Sequence, residues 1–221
     1  MAINVFTNYY KERNIKRMKE MDFCFNNNYK NKHINNIVIE SQDRLKYSDY
    51  FKFIESYGDE EGVNIICNAD IAFDDTIQLA NKIESHQVYA LNRWNPIGSK
   101  IKHYTVLGSS DVWVFRGIPK DIYGDFYLGW WGCDGRIGYE IIKSGYDLVN
   151  PSFSIKTIHM HKSNIRNYSS HRNQVKGPYA GAPACYINDL ILGGELNITR
   201  PGRLPTMKNK TLRKSISRIK R

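Results

Sequence analysis

The sequence predicts an α/β domain, a mostly parallel sheet with helices packed on its faces. Two observations carry this. Over roughly the first ninety residues, short β-branched runs alternate four times with stretches of helical periodicity, and strands separated by helices pair in parallel. The third of these runs, Val63-Asn64-Ile65-Ile66-Cys67, stops abruptly at Asn68-Ala69-Asp70. A buried strand that ends in polar residues has the form of a ligand-bearing edge in an open α/β sheet.

The elements follow in order. Ile3-Asn4-Val5-Phe6-Thr7 reads as the first strand, and Asn8-Tyr9-Tyr10 turns into a helix from about Lys11 to Asn28, with Ile15, Met18 and Phe25 near one face. Asn26 through Lys32 is a polar break, and the segment Ile34 to Glu40 carries the second strand at Ile37-Val38-Ile39. Asp43 to Tyr57 is helical, with Leu45, Tyr50, Phe51 and Ile54 inward, and Gly58 to Gly62 is a turn. After the third strand, Asp74 or Asp75 caps a helix through Ile83, and Gln87 to Leu91 is the fourth strand. Asn92 to Ser110, with Pro96 and Gly98, reads as a long functional loop. Val112 to Phe115 is a strand, Cys133 to Ser144 a helix ended by Gly145, and Ser154 to Met160 a further strand. Asn164 to Ala184 reads as a long loop.

Composition narrows the classes of function. The 221 residues suit one domain, 1–198, followed by a basic tail, 199–221. Nine basic residues and no acid lie between Arg200 and Arg221, and removing them from the net charge of +10 leaves +1 for the body. The basicity therefore belongs to the tail, which suits nucleic acid, weak contact with an anionic membrane surface, or a solvated terminus. No apolar run reaches the ~18 residues of a membrane span. The start of the chain lacks the basic and apolar regions of a secretory signal. Cys24, Cys67, Cys133 and Cys185 have no metal or CxxC spacing and read as reduced, mostly buried thiols of an intracellular, cytoplasmic protein. A GxGxxG after the first strand and a GxxxxGK[ST] are both missing.

Four segments could carry chemistry. Asn68 and Asp70, two apart at a strand end, offer hard oxygen ligands for Mg²⁺ or Mn²⁺ on a phosphate-bearing substrate, or simply begin a turn. Asp111, at the head of an apolar strand, can hydrogen-bond a sugar hydroxyl or serve as a strand-entry residue. Gly129-Trp130-Trp131-Gly132-Cys133-Asp134 combines glycines that admit a ligand with tryptophans that stack on sugars. Asp134 there could take a proton from an attacking hydroxyl or act as a helix cap. In Ile158-His159-Met160-His161-Lys162, the two histidines point to one side of a strand and can join carboxylates on Mn²⁺, while Lys162 and Arg166 are placed to meet phosphates.

Taken together, these segments resemble a GT-A-fold glycosyltransferase that uses a nucleotide sugar. Asn68-Ala69-Asp70 resembles that fold's DxD motif, with Asn in the first position, so that metal binding rests mainly on Asp70. Gly132-Cys133-Asp134, Asn150-Pro151-Ser152 and His159-Met160-His161 are similar in order to segments of a chlorella-virus multidomain enzyme's N-terminal glycosyltransferase domain and of bacterial relatives. The likeness runs from about Ile3 to Tyr168.

The resemblance implies a three-layer α/β/α domain with a Rossmann-like nucleotide-binding half. It further implies a UDP-sugar donor, a glycan acceptor, Mn²⁺ or Mg²⁺, and inversion at the anomeric carbon. Phe6, Thr7, Asn8 and Arg44 would meet the nucleotide, Asn68 and Ala69 the donor diphosphate region, and Asp111 and Trp131 the sugar. Asp70 and His159 would hold the metal, with His161 competing for the same role. Lys162 or Arg166 would neutralise the leaving diphosphate, and Asp134 would be the base. Two rivals remain. A nucleotidyltransferase would need a glycine-rich basic loop after the first strand, where Asn8 to Asn14 has no glycine. A nucleic-acid- or anionic-surface-binding protein acting through the tail would leave Asp70, Asp134 and His159 without a role, so no nucleic-acid partner is expected.

Overall fold

A computed structural model describes residues 1–40, 44–163, 165, 173–197 and 206–208. It is a mixed α/β protein with three sheets. The main sheet has six strands: β1 (Ile3–Asn8), β2 (Asn36–Glu40), β3 (Val63–Cys67), β5 (Gln87–Leu91), β8 (Val112–Arg116) and β9 (Asp147–Val149). They lie in the order β2-β1-β3-β8-β5-β9, with β8 antiparallel to both of its neighbours and the other pairings parallel. A second sheet, in the order β4-β10-β6-β7, joins β4 (Ile71–Phe73), β6 (Trp94–Ile97), β7 (Lys100–His103) and β10 (Thr157–His159). Three short strands, β11 (Ala180–Gly181), β12 (Gly194–Asn197) and β13 (Thr206–Met207), form a third.

Alternation along the strands divides the core into two apolar layers. Phe6, Ile66, Val88, Trp113 and Phe115 face α2 (Tyr47–Tyr57) and α3 (Cys133–Lys143). Val5, Ile65, Tyr89 and Val114 face Ile71, Phe73, Ile77 and Ile155, which come from the second sheet, the 3₁₀ helix Asp75–Lys82 and the turn before β10. Both faces of the main sheet are thus covered, which explains why its strands read as nearly continuous apolar runs. Asn4, Asn36 and Asn64 stand side by side across β2, β1 and β3. Their amides bond one another at 2.8 and 3.2 Å, which penalises a slip in strand register.

Several expectations change. α1 (Ile15–Tyr29) starts later than Lys11, because Asn14 caps it by accepting from the Lys16 and Arg17 amides. Its buried stripe is Arg17, Met21, Cys24 and Asn28, whereas Ile15 is 73% exposed. The reason is polar: Asn28 donates to the Ile71 carbonyl at 2.8 Å and accepts from the Phe73 amide at 2.9 Å, tying the helix to β4. Asp74 caps as expected by accepting from the Thr76 amide, but the turn that follows is 3₁₀. Arg44 lies ahead of α2 rather than in it, and Asp43 lies outside the described residues. The segment Asn92 to Ser110, expected as a loop, holds the β6–β7 hairpin. The strand expected over Ser154 to Met160 is shortened to Thr157–His159 by a turn in which the Ser154 and Ile155 amides donate to the Pro151 carbonyl. The expected loop from Asn164 to Ala184 includes β11, and 164 and 166–172 lie outside the described residues. All four cysteines are buried and free.

Candidate metal centre and acid–base site

The candidate site gathers where β3 and β5 end and β8 begins. Because β8 runs against its neighbours, its first residues lie at the same edge as their last ones. Asn68 and Asp70 follow β3, Asn92 and Arg93 follow β5, and Asp111 precedes β8. β4 then pairs antiparallel with β10, with Ile71 opposite His159, which sets His159 beside Asp70. The Met160 amide donates to the Asp70 carbonyl at 2.8 Å and fixes that junction.

Asp70, His159 and His161 form a group whose ligand atoms all lie within 4.8 Å of one another, and the group could hold a metal ion. Asp70 Oδ2 is 3.0 Å from His159 Nε2 and 3.3 Å from His161 Nδ1. Both histidines therefore reach the carboxylate. The remaining oxygen, Asp70 Oδ1, is buried and has no hydrogen-bond partner among the described residues. A buried carboxylate oxygen without a partner is costly, and a cation would satisfy it. Two imidazoles and a carboxylate suit first-row transition ions such as Mn²⁺ better than Mg²⁺, which prefers oxygen ligands.

Arg17 is the member of this cluster that sequence reasoning missed. Its guanidinium donates to Asp70 Oδ2 at 2.7 Å, while Glu20 at 3.3 Å and the Met160 carbonyl at 3.4 Å hold its other nitrogen. Burial opposes ionisation of Asp70, but hydrogen bonds from His159 and His161 and the charges of His159 and Arg17 hold its carboxyl well below the usual range. Burial likewise opposes charge on His159, yet Asp70 outweighs it and raises the imidazole above its ordinary value. Asn95, in β6, lies 3.3 Å from the other nitrogen of His159 and orients the ring.

A second carboxylate has the opposite surroundings. Asp134 sits in the first turn of α3, two residues after Gly132, which starts the helix at φ 84°. A Cβ on Gly132 would lie 2.6 Å from the Val175 carbonyl oxygen, so the turn requires glycine in both conformation and space. Asp134 is thus not the cap of the helix. Its Oδ1 accepts from the Cys133 thiol at 3.1 Å. Burial, and then the negative charge of Asp111, push its carboxyl up to about 7, against the opposing pull of Cys133 and Arg93. Asp111 is itself held by two bonds from Arg93, at 2.9 and 3.2 Å, and accepts from the Asn68 amide group at 3.3 Å. The Arg93 guanidinium lies over the Tyr104 ring, 4.3 Å from its centre. Arg93 too was missed, because it stands in a segment without helical or strand periodicity.

The remaining expected residues are distributed as follows. Phe6 is wholly buried in the core beneath α2 and α3, and Thr7 and Asn8 are 8% exposed at the end of β1. Arg44 donates to the Leu128 carbonyl at 3.0 Å. Ala69 is half-buried between Asn68 and Asp70. Trp131 is 44% exposed, and its carbonyl accepts from the Val175 amide. Lys162 is exposed in the turn after His161, and Arg166 lies outside the described residues. No described helix is long and apolar enough to cross a membrane.

Compared with protein-family models, with characterised proteins and with solved structures, the chain gives no match. What the fold and the site define is a class: an α/β protein with a candidate metal centre and a neutral-pH carboxylate.

Proposed function

We propose that the chain is a metal-dependent, inverting glycosyltransferase that moves a sugar from a UDP-sugar to a glycan hydroxyl, on a GT-A-like fold. The observation that carries the reading is that the chain has both a buried metal-ligating group beyond the end of β3 and, in Asp134, a carboxyl raised to about 7 by burial and by the charge of Asp111 at the head of β8. The order of the Asn68-Ala69-Asp70, Gly132-Cys133-Asp134 and His159-Met160-His161 segments supports it independently. So does the main sheet, in which five strands run one way and β8 alone runs the other.

Asp70, His159 and His161 would hold the ion, Mn²⁺ in preference to Mg²⁺. When bound, the ion would supply positive charge to the leaving diphosphate. Asp134 accepts the proton of the acceptor hydroxyl as the oxygen attacks the anomeric carbon and the bond to the diphosphate breaks on the opposite face. A carboxylate near 7 holds that proton more firmly than an ordinary one and still releases it at neutral pH. Arg93 fixes Asp111 by bonding both of its oxygens, so that Asp111 is placed to receive a hydrogen bond from the sugar. Lys162 adds an exposed positive charge next to His161.

Calorimetric titration of UDP with and without Mn²⁺ tests the reading. Binding should require the ion and be lost in Asp70→Ala. UDP binding that ignores both the ion and the substitution would exclude the proposed donor site.

A further inference from the structure

Neither the metal group nor Asp134 accounts for the β6–β7 hairpin. From Asn92 to Ser110 the chain has no acidic residue and carries Arg93, Lys100 and Lys102. β7 forms the free margin of the second sheet among the described residues. The turn is Gly98-Ser99, with Gly98 at φ 60°. Cross-strand partners share a face, so Ile97 and Lys100 project together on one side and Pro96 and Ile101 on the other. Ile97 is 58% exposed and Ile101 39%. Lys100 and Lys102 are exposed as well. The hairpin end therefore bears an aliphatic side chain on each face, with Lys100 and Lys102 both on the side of Ile97.

Two occupants of such a tip differ in electrostatics. A second copy of the chain pairing antiparallel along β7 would set Lys100 and Lys102 against the same lysines, and like charges directly opposed destabilise a strand pair. An anionic bilayer instead offers phosphates to the lysines and an acyl boundary to the isoleucines. We propose that the β6–β7 hairpin docks the protein on an anionic lipid bilayer. Ile97 and Ile101 enter the boundary between headgroups and acyl chains, and Lys100 and Lys102 meet the lipid phosphates. Asn95, at the base of the same strand, touches His159, so docking brings the metal group's side of the sheet toward the membrane. This inference stands apart from the sugar-transfer reading, since it uses none of that reaction's residues.

The test is co-sedimentation of the full chain with vesicles of phosphatidylcholine alone and of phosphatidylcholine mixed with phosphatidylglycerol. Binding should appear with the mixed vesicles. The double variant Ile97→Ser/Ile101→Ser should weaken it at least about tenfold by losing apolar burial. Lys100→Gln/Lys102→Gln should weaken it by on the order of tenfold or more. The isoleucine variant separates the hairpin from the basic tail, whose attraction is electrostatic and unchanged by it. A polarity-sensitive dye on Ser99→Cys, selective because the native cysteines are buried, should shift to the blue on the mixed vesicles. Undiminished binding by the isoleucine variant without a dye shift would assign the attraction to the tail and overturn the proposal. Vesicle-independent dimerisation abolished by the same variants would assign the hairpin to a second copy, and would equally overturn it.

Discussion

Asp70 and Asp134 are pushed in opposite directions by their surroundings. Asp70 is surrounded by donors: Arg17, His159 and His161 all converge on one of its oxygens. Asp134 has a neighbouring carboxylate, Asp111, and a neutral thiol. The first has its carboxyl held well below the usual range by these partners, which is what a metal ligand needs. The second is brought close to neutrality, which is what a group that gains and loses a proton needs. The chemistry of each follows from its company rather than from its residue type.

The contrast can be broken most severely at Asp134. Under the proposed function, Asp134→Asn should reduce sugar transfer by on the order of 10²–10⁴ while leaving Mn²⁺-dependent UDP binding intact. Direct assay of transfer together with calorimetry checks both halves, and a folded variant that kept most of its turnover would remove the base assignment. Next in size is the centre around Asp70. Arg17→Met frees the oxygen shared with the histidines and should tighten Mn²⁺ binding by about tenfold, measured by titration of the ion alone. Weaker binding would mean that Arg17 positions Asp70 more than it competes for it.

Arg93→Gln sharpens the comparison from the other side. Without the guanidinium, only the Cys133 thiol still opposes the upward push of burial and of Asp111 on Asp134. The acidic limb of the kcat/KM profile should then move to higher pH, on the order of one pH unit. The smallest expected effect is on stability. Asp134 has a folded pKa raised to about 7, so its contribution is fully present below the ordinary carboxylate value and is lost as pH rises through about 7. Asp134→Asn removes that loss and should raise Tm at pH 8 by a few degrees, roughly, with little change at pH 4. Asp70 tilts the curve the opposite way: its folded pKa is depressed, so its contribution is present above the ordinary carboxylate value and fades as pH falls through the folded one.

Much of this was legible in the residues. The apolar run that stops at Asn68 marks the sheet edge; His159 and His161 both reach Asp70, but β10 ends at His159, so strand alternation does not account for His161. The two arginines were not legible, and for different reasons. Arg17 lies on the buried stripe of α1, but helical periodicity is read from apolar residues, and this stripe starts with a guanidinium and ends with an amide. Arg93 precedes a hairpin that Pro96 disguises. Proline has no amide to donate, yet Trp94 alone joins β6 to β10, and Pro96 sits beyond that pairing, opposite Ile101. β4 was missed because three residues are too few to show a period. The GT-A likeness covers the order of motifs, whereas the second sheet that unites Asp70 with His159 is a matter of long-range pairing that no local pattern encodes.

The reversed strand β8 has a consequence for how the chain comes off the ribosome. β3 and β5 are made first, but in the finished sheet they do not touch; β8 fills the gap between them. Until residues 112–116 have emerged, both strands present open apolar edges, Val63-Asn64-Ile65-Ile66-Cys67 on one and Val88-Tyr89-Ala90-Leu91 on the other. Nascent chains stalled before Val112 should therefore be held by chaperones or aggregate, and those stalled well beyond β9 should resist protease. The strand that completes the site is also the one that seals the protein against its own kind.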